Sequence, residues 1–534
     1  MSKLEKTCLL IFTLVGVWAS IHVGIAADDW PEYVTLQMNL AAILGLWSGD
    51  FTPYQALIDF GDRYYGMGFH FFSNALSYVV NWFLPDTYPY SPLASKMIFW
   101  HASTLLAFVG SGILVRAILM KFTKDALVAS LGMVAYLLWP YLLGHGLMNV
   151  KDIPFLFAWL LCSNFALLVL ISIEGGESSH TFKKYIIWLG IATGWLISIR
   201  VLGVLIFIQY LVLLGIYFFL SRNQSNIFKC ISLTSILLFI GVFTLTLFLL
   251  YPILWHNPLE FLNAIQYMSH HPWQGETLTN GQLLAPKNQT YFYILMWLLV
   301  KLPIITILGL VLTPFYLLKN SLEEQKSTAY PRFGFNGIAY SLLLILMLLT
   351  FMKVGLYNEL RQILFIFPLL FILGITALYY FNRKILIFLL ILSIGSFAVD
   401  DITLYPYQYT YLNEVVRHLN IQDRFERDYF GISAGKTAIW ANENLVNRDG
   451  VCIYASPEHL WTFVLNPIKY HCLEKYVDFA KIKKPFLVFW ITKGVSKKLP
   501  LPSCSLIHEE VRNLPISQSR LVMGQLFYCN PALQ

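Results

Sequence analysis

The sequence is divided into apolar runs, each near the length that crosses the hydrocarbon core of a bilayer, and no water-soluble fold can bury so many. They occupy residues 7–26, 97–115, 125–143, 154–173, 185–199, 201–220, 230–251, 291–318, 335–352, 363–381 and 385–399. Only 13% of the 534 residues are charged and 57% are hydrophobic, whereas roughly a quarter of a soluble domain is charged. The expectation is an α-helical polytopic membrane protein of about eleven transmembrane helices over residues 1–400, followed by a polar tail, 401–534, read as a small C-terminal α/β domain. The net charge of +7 is carried by scattered Lys and Arg with no basic stripe, so nucleic acid is not expected as a partner.

Cations orient the chain. One set of alternate helix ends carries Lys3, Lys6, Arg116, Lys121, Lys124, Lys183, Lys184, Arg222, Lys229, Lys319, Lys326, Arg332, Arg383 and Lys384, and this side should be cytoplasmic. The N-terminus then lies inside, and the first loop (27–95), the loop 252–290 and the tail lie outside. Residues 66–84 are apolar enough to compete as a span, but a crossing there would put Arg116, Lys121 and Lys124 outside, so they read as an interfacial helix. Gly24 and Ala26 sit where a signal peptide is cleaved, yet the run 7–26 has nearly full spanning length and reads as an uncleaved anchor.

Four of the seven cysteines, Cys452, Cys472, Cys504 and Cys529, fall in the tail, an even number that suits two disulfides in an oxidising compartment such as a periplasm, although four unpaired thiols in a cytosolic domain give the same pattern. The shortest loops pair Cys452 with Cys472 and Cys504 with Cys529. Strands are expected at 451–456, 485–492 and 521–529, with a helix over 434–446. "GISAGKT" (431–437) imitates a phosphate loop, but three residues separate its glycines where four are needed and no strand precedes it.

Polar residues that membrane insertion should expel gather on the outer side: Asp28, Asp29 and Glu32, "DRYYGMGFH" (62–70), "NVKDIP" (149–154), "SHHPWQGETLTNG" (269–281), Arg200, and Arg361 in "YNELRQ". Outward cations beside outward carboxylates suit a site that handles a proton and a phosphate.

In these pieces the chain resembles the lipid-carrier-dependent glycosyltransferases of the multi-span (GT-C) class, which includes protein O-mannosyltransferases and bacterial transferases acting on lipopolysaccharide. The family's opening Asp-Glu is matched by Asp28-Asp29, and its "NPKDIPF" by "NVKDIPF" (149–155). Its "PW.G" loop is matched by Pro272, Trp273, Gly275 and the later Gly281, and its "RH" by Arg361. Its "PYEYxYxN" is matched by "PYQYTYLN" (406–413), and its "FExDYWGxS" by "FERDYFGIS" (425–433). Asp29 replaces a Glu, Gln362 replaces the His after Arg361, and Glu32 stands where a His is common.

The resemblance implies transfer of a sugar from a polyprenyl phosphate to an acceptor hydroxyl on a periplasmic glycan, lipid or protein, with inversion, at the bacterial inner membrane. Inversion needs one general base, and the departing phosphate needs cations rather than an acid. Asp28 is the expected base, its pKa raised by an apolar interface and by Asp29 alongside; the alternative is that both aspartates cap a helix starting near Tyr33. Asp152 has two readings, a cap of the fourth span or a hold on the acceptor or a divalent metal. Arg361 is the expected phosphate ligand, with Arg200 and Lys301 at similar depth. Tyr64, Tyr65 and Trp273 are candidates to stack on a sugar, and His270 and His271 to line the donor; adjacent histidines share no face, and no tetrahedral metal set is readable. The competing class, a transporter or channel, is disfavoured by the odd number of spans, the lack of an inverted repeat and the gathering of charge at one face.

Overall fold

The computed structural model describes residues 1–83, 92–220, 232–269, 273, 275–322, 330–419, 424–445, 451–457, 459–464, 473–474, 478–492, 501–514 and 520–533. Among these, seven helices are long and apolar enough to cross a membrane unaided: Lys3–His22, Leu93–Thr123, Asp152–Glu174, Val201–Phe219, Leu233–Leu250, Arg332–Phe351 and Arg383–Leu404. An eighth span forms if Ala126–Leu137 and Pro140–Met148, bent by 61°, count as one. The bend falls at Pro140, whose ring cannot continue the preceding helix and which opens the next one. The other apolar runs lie on helices that do not qualify alone: Ser179–Ile199, Ile366–Phe381, and a run divided by Leu302 and Pro303 into Tyr293–Lys301 and Ile304–Leu322. Among the described residues, length and apolarity alone support seven or eight crossings and do not confirm the expected count of about eleven.

Helix Ile366–Phe381 is apolar all round because it is buried all round, from Ile366 to Leu378. Its Gly374 meets Gly309 so closely that a Cβ on Gly309 would lie 2.1 Å from the Gly374 carbonyl oxygen, which explains small residues at that crossing. The first loop holds three helices, Asp29–Ser48, Thr52–Asp59 and His70–Phe83. These helices expose Leu44, Trp47, Phe72 and Trp82, and Phe51 just before the second of them is exposed as well.

A hairpin of β1 (Thr277–Thr279) and β2 (Gln282–Leu284) turns through Asn280 and Gly281, both left-handed, the conformation an Asn-Gly turn supplies. The tail carries a five-stranded mixed sheet of β3 (Cys452–Ser456), β4 (Leu473–Glu474), β5 (Phe486–Ile491), β6 (Cys504–Asn513) and β7 (Arg520–Cys529), in the order β4-β3-β5-β7-β6. Helix Ile432–Asn444 covers it through Ala434, Ala438 and Ala441. Cys504 and Cys529 face each other in register and are disulfide-bonded. Cys452 is disulfide-bonded too, and Cys472, the partner expected for it, lies outside the described residues.

The stretch between the last long helix and this sheet is packed into the bundle. Arg417 forms a two-pronged pair with Asp400 at 2.7 Å, and Asn413 donates to the carbonyls of Leu299 and Leu302, which the helix break would otherwise leave unpaired. Gly281 donates to Arg424 O at 2.8 Å and Glu426 to Leu278 O at 2.9 Å, fastening the hairpin to the same stretch.

Candidate active site

Most of the polar groups singled out in the sequence converge on one cleft, lined by Asp28, Pro31, Glu32, Thr35, Asp62, Tyr65, Lys151, Arg200, Trp273, Tyr357 and Arg361. Asp28 occupies the N-cap position of helix Asp29–Ser48 without making a capping bond. Its carboxylate takes a hydrogen bond from Arg361. Asp29 turns the other way, because successive side chains at a helix start diverge by about 100°. Buried, it accepts the Ala26 N–H at 2.8 Å and lies 3.0 Å from His101 Nε2. Burial drives its carboxyl above the usual range against the pull of His101. Asp29 thus faces the protein interior, not the cleft.

Two further ion pairs complete the polar wall. Lys151 Nζ donates to both oxygens of Glu32, at 2.7 and 3.0 Å, and lies 3.9 Å from the centre of the Tyr65 ring. Burial pulls the Lys151 ammonium below its usual range while Glu32 opposes this. Arg200, where helix Ser179–Ile199 breaks, lies 2.7 Å from Asp152. Asp152 also accepts from Asn149 Nδ2 at 2.8 Å. The N-cap residue of helix Asp152–Glu174 is Lys151, which makes no side-chain cap bond; Asn149 Oδ1 accepts the Asp152 N–H at 2.9 Å, and the Asp152 carboxylate faces Arg200.

Arg361 follows helix Arg332–Phe351 in a short 3₁₀ turn, Arg361–Ile363. Burial works against its charge, but Asp28, then Tyr357 and Asp152, hold it firmly protonated. Its guanidinium lies 5.1 Å from the Tyr357 ring and 5.6 Å from Phe430. Tyr357 in turn stacks on Trp273 at 4.6 Å, presenting an aromatic face beside the cation.

Two further expected members, Tyr64 and Lys301, stand elsewhere. Tyr64 points away from the cleft and donates to Glu260 at 2.6 Å, whereas its neighbour Tyr65 lines it. Lys301 is fully buried 2.8 Å from Glu359 and is not among the cleft residues. His270 and His271 lie outside the described residues. The cleft also brings in Asp62 and Tyr357, which the sequence shows only as members of "DRYYGMGFH" and "YNELRQ". Among the described residues no group of three or more His, Cys, Asp or Glu is placed to hold a metal ion.

The tail braces this corner. Ala27 N donates to Phe430 O at 2.8 Å, and His459 Nε2 lies 3.2 Å from Ala27 O. Asp428 accepts from Tyr409 and from the amides of Ile432 and Ser433, so it occupies the helix start within "GISAGKT". A Cβ on Gly144 would sit 2.2 Å from Tyr409 N, so only glycine lets this segment seat against the bundle.

No family model and no curated protein matches the sequence. Among solved structures, the chain is similar to ArnT from Cupriavidus metallidurans bound to undecaprenyl phosphate, at 13% identity and a TM-score of 0.45. It is likewise similar to the apo state of that protein, at 12% identity and a TM-score of 0.47. Both alignments cover 99% of this chain and 98% of the other.

Proposed function

We propose that the protein is an inverting glycosyltransferase that moves a sugar from a polyprenyl-phosphate donor to an acceptor hydroxyl on the outer face of a bacterial inner membrane. The observation that carries this reading is the Asp28–Arg361 pair in a cleft holding two further cations, Lys151 and Arg200. Such a cleft offers a carboxylate for a proton and a cluster of positive charge for a phosphate. The motif order in the sequence supports the same reaction.

In the reaction, Asp28 takes the acceptor hydroxyl proton as that oxygen attacks the anomeric carbon, and the bond to the phosphate oxygen breaks. Arg361, with Arg200 nearby, receives the charge that develops on the departing phosphate, so no acid is needed. In-line inversion places base and phosphate on opposite faces of the sugar, so Asp28 and Arg361 have to part to admit it. Tyr65 and the Trp273–Tyr357 stack offer ring faces for the sugar. The orientation is supported by the disulfide-bearing tail, which leans on the cleft through Ala27.

Incubating purified protein with radiolabelled polyprenyl-phosphate sugars and a cell-envelope extract tests the reading. Label moving onto an envelope acceptor supports it. Solute flux through proteoliposomes with no transfer from any donor would replace it with the transporter reading.

A further inference from the structure

Lys301 and Glu359 are both fully buried, 2.8 Å apart, and neither lines the cleft. The ammonium also donates to Tyr409 O at 3.3 Å and lies 4.7 Å from the Tyr141 ring centre. The proposed reaction gives this pair no task. Stability is a weak reason for it, because well-packed apolar residues commonly replace a buried ion pair without loss.

The backbone offers a better reason. Asn358 and Glu359 both adopt left-handed φ angles, +49° and +68°, three and two positions before Arg361. Two successive non-glycine residues in that region are strained, and such strain persists only where surrounding contacts over-determine it. The contacts are present. Asn358 N donates to Thr277 Oγ1 at 2.9 Å, the Tyr293 hydroxyl donates to Glu359 O at 3.2 Å, and Gln362 Nε2 donates to Tyr357 O at 2.8 Å. Among the described residues, Lys301 and the Tyr141 hydroxyl grip the loop by a side chain at the strained position itself, and Lys301 alone does so with a charge. The consequence is a turn that sends Glu359 inward while Tyr357 and Arg361 face the cleft.

We propose that Lys301 is a positioning residue that, through Glu359, holds the strained 357–361 loop so that the Arg361 guanidinium is aimed at the donor phosphate. The aim at phosphate rests on the proposed function; the hold on the loop does not.

The test uses the full-length protein carrying Lys301→Met with Glu359→Leu, which removes both charges of the pair and keeps the buried Glu426 beside it. Two quantities are read: amide exchange over 357–363, and the affinity for farnesyl phosphate, a short polyprenyl phosphate, by calorimetry. Exchange of the Asn358 and Glu359 amides should rise by about tenfold or more. The dissociation constant should rise by about tenfold or more, and adding Arg361→Ala should cause little further loss, because the changes act through one group. Wild-type exchange in the loop, wild-type affinity, or losses that simply multiply would each overturn the proposal. If the wild-type protein does not bind farnesyl phosphate, the phosphate reading fails and the exchange measurement still decides the hold on the loop. Should the double variant not fold, Glu359→Gln, which keeps the shape and removes the charge, gives the same two readings.

Discussion

Arg361 donates to Asp28 across 333 residues of chain, so the cation suited to a phosphate and the base suited to a proton neutralise each other. The partners are not equally held. The Arg361 side chain is 6% exposed and fixed from behind by Tyr357 and Phe430, whereas the Asp28 side chain is 42% exposed and makes no cap bond. In the proposed reaction a phosphate at Arg361 would compete with the more exposed Asp28 carboxylate and release it as the base, so donor binding would precede acceptor activation.

Asp28→Asn separates the two roles. The amide keeps the shape and loses the basic lone pair, so turnover at saturating donor should fall about 10²-fold or more. Affinity for polyprenyl phosphate should hold or improve, because Arg361 no longer has an anionic competitor. A variant retaining more than about a tenth of wild-type turnover would show that Asp28 is not the base.

Which neighbours share the cleft is what the linear sequence hides. Asp28 and Asp29 stand together in the chain, yet one meets Arg361 and the other His101, because adjacent side chains at a helix start point apart. Tyr64 and Tyr65 divide in the same way. Lys301 matches Arg361 in depth along its apolar run, but the break after Leu302 turns it inward. The strands at 451–456, 485–492 and 521–529 are legible as apolar runs, whereas β6 is not, since an edge strand reading "HEEVRN" shows little apolar alternation. The tail motifs carry their order in the sequence, but their burial beneath the cleft depends on contacts with Ala27, His145 and the 277–284 hairpin that no local pattern announces.

His70 supplies a pH dependence. Burial, with the Lys151 charge behind it, pulls its pKa from the ordinary 6.5 down to about 3. The unfolded chain takes up this proton first as pH falls, so the contribution is complete above about pH 6.5 and is lost toward pH 3 at about 1.4 kcal/mol per unit. Melting of wild-type and His70→Gln protein between pH 7.5 and 5 checks this. The wild type should lose about 2 kcal/mol more than the variant at pH 5, and parallel curves would refute it.

The Cys504–Cys529 bridge, at a sequence separation of 25, joins the edge strand β6 to its neighbour β7. Closing a loop of that length in the unfolded chain contributes about 3.5 kcal/mol in the chain-entropy treatment. Reduction should lower the tail's melting temperature while the helical bundle keeps its circular dichroism. Alkylation of denatured, unreduced protein should leave Cys452, Cys504 and Cys529 unmodified; labelling of Cys504 or Cys529 would place the tail in a reducing compartment.

Replacing Arg361 tests the phosphate assignment, and the geometry says what each substitution should do. Arg361→Ala removes the cation nearest Asp28 and leaves that carboxylate, 42% exposed, in water, so folding should tolerate the change. Lys151 and Arg200 remain in the cleft but are engaged by Glu32 and Asp152, so they cannot substitute without abandoning those partners. Donor affinity should fall about tenfold or more, and turnover further still, because charge on the leaving phosphate grows as the sugar departs. Arg361→Lys should recover only part of both: an ammonium carries the charge but cannot make a two-pronged contact with the phosphate. Steady-state kinetics with a radiolabelled donor, alongside calorimetry with farnesyl phosphate, separates the two effects. Normal binding and normal turnover by the alanine variant would move the phosphate to Lys151 and Arg200, and with it the direction in which the sugar is presented to Asp28.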